Sequence, residues 1–119
     1  MEFYYKKINK CADERRDYCN TIKILHPNKI PIILERDPKS MLKDIDKTRY
    51  LIPDDLTINQ FSLMIRIRGA FSKETPLFLL VNGTEYVSED IALSELYDKY
   101  KDYQDGFLYM AYTDKIDLI

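Results

Sequence analysis

The chain is expected to adopt an α+β fold of the β-grasp type, because its elements read in the order helix, strand, strand, helix, strand, helix, strand. Two hairpin-like halves flank a central helix, and a mixed sheet follows from that order. A composition of 45% hydrophobic residues with only five Pro and three Gly in 119 residues supports a compact globule rather than disorder. A chain of this length buries about two-thirds of its unfolded surface, which allows one core and no second domain.

The first helix is read over Cys11 to Leu25, where Cys11, Tyr18, Ile22 and Leu25 stand at offsets 0, 7, 11 and 14 and share one face. Pro27 stops it, since proline lacks the amide hydrogen and drives His26 out of the helical region. Lys29 to Glu35 is a short β-branched run with Pro31 inside it. Such a strand is possible only where the missing donor faces no partner. A second strand runs from Arg49 to Pro53.

Thr57 and Gln60 have the Thr-x-x-Gln spacing of a capping box, with apolar Ile58, Phe61, Met64 and Ile65 following, so the central helix starts here and Gly69 closes it. Leu77 to Val81 is a continuous apolar run, as for a strand buried on both faces, and Asn82-Gly83 supplies the positive φ angles of a tight turn. Leu93, Leu96, Tyr97 and Tyr100 repeat at helical spacing after a candidate cap at Ser88. Gly106 to Tyr112 is the last strand, followed by a tail from Thr113 to Ile119.

Eighteen Lys plus Arg against 20 Asp plus Glu give a net charge of -2, which excludes the basic excess of a non-specific nucleic-acid binder. Ten Tyr offer apolar bodies with polar tips, suited to a partner surface as well as a core. The N-terminus lacks the blocks of a signal peptide, and no apolar run approaches the roughly 18 residues of a membrane span. A soluble, intracellular protein is expected. Cys11 and Cys19 would lie about 12 Å apart along a helix, beyond the roughly 7 Å reach of a disulfide, so free thiols are expected. With the single His26 their spacing matches no common zinc site, and no metal or cofactor is expected. A Cys nucleophile with His26 as base would lack an oxyanion turn or an orienting group, so an enzyme is not expected.

The residues also carry a family resemblance. Pro27-Asn-Lys-Ile-Pro-Ile-Ile-Leu-Glu35, Asp46-Lys-Thr-Arg-Tyr-Leu-Ile-Pro-Asp-Asp-Leu-Thr57, Gln60-Phe61, Ile65-Arg66 with Arg68, Phe78-Leu-Leu-Val-Asn82 and Asp105-Gly-Phe-Leu-Tyr-Met-Ala-Tyr112 span almost the whole chain. In order and spacing they resemble the ubiquitin-like modifiers of autophagy, the family that includes the GABA type A receptor-associated protein and microtubule-associated protein light chain 3. The resemblance implies a ubiquitin-like β-grasp core over 27–112, an N-terminal helical subdomain over 1–26 containing a pair of helices, and a C-terminal tail over 113–119.

It also implies a groove for aromatic-x-x-aliphatic motifs of cargo receptors and autophagy machinery, which would add as a strand to the open edge of the second strand. The first pocket would be lined by Ile22, Pro31, Leu51 and Phe107. The second would be lined by Tyr50, Ile52, Pro53, Leu56, Phe61 and Met64. Lys29, Lys47, Arg49 and Arg68 would form a basic edge and rim that attracts acidic flanks. From periodicity alone Ile22, Phe61, Met64 and Phe107 read as core, Pro31 and Pro53 as edge markers, and Lys47 and Arg49 as a solvated face. The co-occurrence of the family segments favours the groove.

Two departures from the family pattern bear on function. The Glu that the family often carries near the first pocket falls on Tyr18, so tolerance of Phe or Tyr anchors is expected beside Trp. The Gly through which the family is joined to phosphatidylethanolamine falls on Ile119. Either the chain is a piece lacking that Gly, or it is a member that works without conjugation. A processing protease, conjugation enzymes and an autophagosomal membrane are implied partners of a Gly-bearing form only, and the chain as written is expected in the cytoplasm. The alternative is a non-conjugated ubiquitin-like interaction module, for example a cytoskeletal one. Residues 1–25 hold six Lys plus Arg against four Asp plus Glu, a net of +2, too weak to imply a polyanion such as nucleic acid.

Overall fold

A computed structural model describes residues 1–116. Its elements are α1 (Tyr4–Ile8), α2 (Ala12–Leu25), β1 (Lys29–Arg36), β2 (Arg49–Pro53), α3 (Ile58–Arg68), β3 (Phe78–Val81), β4 (Glu85–Tyr86), α4 (Leu93–Tyr100) and β5 (Leu108–Thr113). The five strands form one sheet in the order β2-β1-β5-β3-β4, parallel between β1 and β5 and antiparallel elsewhere. This is the expected ubiquitin-like β-grasp, with the pair of N-terminal helices that the family resemblance implied.

Alternation along the strands divides the interior in two. Ile30, Ile32 and Leu34 of β1 and Leu108 and Met110 of β5 pack under α3 and α4, against Ile58, Phe61, Ile65, Leu93 and Leu96. On the opposite face Ile33, Phe107 and Tyr109 meet Phe3 and Cys19 under α1 and α2. Pro31 fits β1 for a geometric reason. Leu34 N–H donates to Thr48 O at 2.9 Å and Asp54 N–H to Asn28 O at 3.0 Å, so the even-numbered residues of β1 carry the bonds to β2. Pro31 is out of that phase, and pairing with β5 starts one residue later, at Ile32↔Leu108. Its missing donor interrupts neither ladder.

The capping box forms as the sequence predicts: Gln60 N–H donates to Thr57 Oγ1 at 3.2 Å, and Thr57 N–H to Gln60 Oε1 at 2.8 Å. Asn82 and Gly83 take φ of 56° and 76° in the β3–β4 turn. Three expectations are corrected. The buried face of α2 runs through Arg15 and Cys19, with Ile22 half-buried, whereas Cys11, Tyr18 and Leu25 are exposed. A buried ion pair occupies the place an apolar stripe would take. Glu85–Tyr86 adds a strand that the sequence did not suggest, two residues being too short for a period. Ser88 does not cap α4, whose N-cap is Ala92. Leu93 N–H donates to Leu56 O at 2.8 Å and Ser94 N–H to Asp54 O at 3.2 Å, so carbonyls before α3 satisfy the helix start.

Two carboxylates, Asp105 and Glu35, tie the N-terminal helices to the sheet. Asp105, fully buried, accepts from Arg15 Nε at 2.8 Å, from the Tyr109 hydroxyl at 2.6 Å and from Phe107 N–H at 2.9 Å. Burial and the bond to Asp105 push the Tyr109 hydroxyl pKa well above its usual range. Glu35, near the end of β1, receives the Tyr4 and Tyr5 amides at 2.7 and 2.8 Å and so holds the start of α1.

Candidate strand-docking groove

Strand β2 is one edge of the sheet, and among the described residues no strand pairs with its outer side. Because Tyr50 and Ile52 are in register with Ile32 and Ile30 and share their phase, the backbone groups of Arg49 and Leu51 point outward. Pro53, without an N–H, ends the exposed ladder. An extended peptide laid along this edge would find the donors and acceptors of Arg49 and Leu51 free.

Each face of β2 opens into a hollow. On the α2 side a cavity of about 370 Å³ is lined by Ile22, Pro31, Leu51 and Phe107, together with Tyr18, Leu25, His26, Lys47, Arg49 and Tyr50. All four residues expected in the first pocket therefore meet. Tyr18 and Arg49 close one side of it, with the guanidinium 4.8 Å from the Tyr18 ring centroid. Tyr18 in turn lies 6.4 Å from the Phe107 ring. Among the described residues no carboxylate lines this hollow.

On the α3 side a cavity of about 400 Å³ is lined by Lys47, Tyr50, Leu51, Ile52, Met64, Ile67 and Arg68. Tyr50, Ile52 and Met64 of the expected second pocket are present. Pro53, Leu56 and Phe61 are not in its lining. Phe61 is fully buried beneath Tyr50, with ring centroids 5.7 Å apart and nearly perpendicular planes, so it supports the floor from below. Leu56 packs half-buried on the core and Pro53 is exposed at the strand end. Ile67, absent from the expected set, is 81% exposed at the rim. Its position three residues after Met64 puts it on the same helix face, a signal present in the sequence.

Of the expected basic residues, Lys47 lines both hollows, Arg49 the first and Arg68 the second. Lys29 lines neither; it stands opposite Pro53 in the ladder. The Lys47 ammonium lies 5.1 Å from the Tyr50 ring centroid, and Arg68 pairs with Asp46 at 3.2 Å. Burial pushes the Tyr50 hydroxyl pKa up to about 12, with Arg68 pulling it the other way. The lipid-attachment position expected at Ile119 lies outside the described residues.

Comparison with known proteins gives the family and the fold. The family described as "Autophagy protein Atg8 ubiquitin like" matches residues 14–117. The chain is 39% identical over 110 residues to human microtubule-associated protein 1 light chain 3 gamma, covering 92% of this chain and 74% of that protein. It superposes on the crystal structure of Trypanosoma brucei ATG8 with a TM-score of 0.87 at 33% identity, covering 95% of each chain.

Proposed function

The chain belongs to the Atg8 family of ubiquitin-like autophagy proteins, and from that premise we propose that it is an adaptor that captures aromatic-x-x-aliphatic motifs by strand addition to β2. Members of this family are ubiquitin-like modifiers or adaptors rather than classical enzymes. One observation carries the proposal: the two hollows lie on opposite faces of a single free edge strand. Side chains alternate along an extended peptide, so anchors an odd number of residues apart point to opposite faces. Anchors three apart, separated by about 10 Å at roughly 3.3 Å per residue, meet that requirement. A two-residue spacing would put both on one face.

The energetics are adequate. Two buried anchors contribute about 1.5–3 kcal/mol each, and the outward groups of Arg49 and Leu51 add hydrogen bonds, while a micromolar complex needs only about 8 kcal/mol net of association costs. Lys47, Arg49 and Arg68 would draw acidic residues flanking a motif, with a salt-sensitive on-rate. The partners are thus motif-bearing cargo receptors and autophagy machinery met in the cytoplasm. Attachment to phosphatidylethanolamine on an autophagosomal membrane, with its protease and conjugation enzymes, enters the proposal for a form carrying a C-terminal Gly. Mass spectrometry of the endogenous protein detects that form by its terminal Gly or lipid adduct.

Calorimetric titration with a Phe-x-x-Leu peptide bearing an acidic flank tests the groove. A micromolar Kd is expected for the wild type, with at least a tenfold loss in a Leu51→Ala, Arg49→Ala double variant. Equal binding by the two proteins would point instead to an interaction module that works through another surface.

A further inference from the structure

One wall of the α2-side hollow is fixed from outside the hollow. Phe107 lines it, and both backbone groups of Phe107 are bonded into the loop before β5. Its N–H donates to Asp105 Oδ1 at 2.9 Å, and its carbonyl accepts from Asp102 N–H at 2.8 Å. Asp102 orders the rest of that loop. Its Oδ1 receives the amides of Gln104 and Asp105 at 2.8 and 3.1 Å, and its Oδ2 receives Lys6 Nζ of α1 at 2.6 Å.

Helix α1 thus holds Phe107 by two routes. Lys6 reaches its backbone through Asp102, and the neighbouring Tyr5 ring packs edge-on against its ring with centroids 5.6 Å apart. Tyr5, Lys6, Asp102 and Asp105 do not line the hollow, so what they contribute to it passes through Phe107.

The attachment of α1 is of a kind that opens. Five residues are too few for a helix to persist alone in water, and none of the five is buried. Its docking rests on Phe3, buried just ahead of it, on Glu35, which accepts the Tyr4 and Tyr5 amides, on Arg15, which donates to Asn9 O at 2.6 Å, and on Lys6. The Lys6 ammonium is paired with Asp102 and lies 4.5 Å from the Tyr109 ring centroid, on a side chain 35% exposed. A segment held by a few partly exposed bonds opens at lower free energy than the core.

We propose that Lys6 is a positioning residue for the aromatic anchor: through Asp102 and Phe107 it couples docking of α1 to occupancy of the α2-side hollow. A motif that fills the hollow tightens α1 on the sheet, and release of α1 weakens the motif. This rests on the strand-docking reading and adds to it a control element outside the groove.

The test compares wild type, Lys6→Gln and Lys6→Arg by calorimetric titration with three acidic-flanked peptides, Phe-x-x-Leu, Leu-x-x-Leu and Phe-x-x-Val. Losing one distant positive charge weakens all three alike, so that effect cancels in their ratios. The cost of changing the first anchor, read as the Kd of Leu-x-x-Leu over that of Phe-x-x-Leu, is expected to fall about threefold in Lys6→Gln and to recover in Lys6→Arg. The cost of changing the second anchor should be the same in all three proteins. Linkage requires the reverse effect, so saturating Phe-x-x-Leu should slow hydrogen exchange of the Tyr4 and Tyr5 amides in the wild type. Equal first-anchor ratios in wild type and Lys6→Gln, a second-anchor ratio that moves with the first, no recovery in Lys6→Arg, or unchanged exchange at Tyr4 and Tyr5 would each overturn the coupling while strand docking stands. If no peptide binds the wild type, strand docking itself fails and this inference with it.

Discussion

Arg15 of α2 and Asp105 of the loop before β5 meet at 2.8 Å with side chains 4% and 0% exposed. The pair joins the N-terminal helices to the sheet at the point where β5 enters beside β1. Removing one partner strands the other charge in the interior, so Arg15→Met is expected to cost about 3–5 kcal/mol in urea unfolding. In the double variant Arg15→Met, Asp105→Asn no charge is stranded, and its loss should be smaller than the sum of the singles. Strict additivity would show that the two groups do not interact.

A second tie is pH-dependent. Asp102 is partly buried, which favours the neutral acid, but the Lys6 ammonium at 2.6 Å and the amides of Gln104 and Asp105 outweigh that and hold its pKa below the usual value. A carboxyl depressed in the folded state contributes stability that is fully present above its unfolded pKa of about 4 and is lost as pH falls through the folded value. Urea midpoints should therefore drop as pH is lowered below about 4. Asp102→Asn should be destabilised at pH 7 and show a shallower acid slope than the wild type; parallel slopes would remove Asp102 from the account.

Both ties involve residues that periodicity cannot assign. The capping box at Thr57 and Gln60, the Asn82-Gly83 turn and the bounds of β2 are local chemistry, and each was legible. The face of α2 was not, because Arg15 is buried by a partner 90 residues away. Helix α1 has only five residues and takes its amide acceptor from Glu35, so nothing within the segment itself announces it. Gly69 ends α3 in a right-handed conformation, and the positive φ of 55° falls on Ala70, which no composition rule would choose. At the groove, the residues of the first hollow were legible from the family segments, while the same resemblance placed Phe61, Leu56 and Pro53 in the second; periodicity alone read Phe61 as core, and its ring does lie buried beneath Tyr50.

The two thiols should differ in reactivity. Burial, with Asp105 nearby, pushes the Cys19 pKa up to about 11, and its sulfur lies 3.3 Å from where a Cβ on Gly106 would stand. Cys11 is exposed. Iodoacetamide at pH 8 should label the native protein once, at Cys11, and label Cys19 only after unfolding. Because a raised pKa contributes stability that is complete below the unfolded value and is lost as pH rises through the folded one, unfolding midpoints should also fall above about pH 9. Rapid labelling of Cys19 in the folded protein would contradict its placement.

The last prediction concerns the first anchor. An indole N–H seeks an acceptor when buried, and the α2-side hollow is lined by Tyr18 with the Arg49 guanidinium over its ring, with no carboxylate among the described residues of the lining. A Trp anchor therefore gains contact area over Phe but no charge-assisted hydrogen bond. Trp and Phe peptides should bind within about tenfold of each other, since a hydrogen bond to a charged acceptor would add roughly 1.5–3 kcal/mol that is missing here. Tyr18→Glu places an acceptor on this exposed helix position and should raise the Trp-to-Phe ratio by several-fold. The same substitution removes the stack under Arg49, so Phe binding should change little or weaken, and the gain would appear for Trp alone. A wild-type preference for Trp above tenfold, or a ratio unmoved by Tyr18→Glu, would show that the indole finds its acceptor elsewhere in the groove.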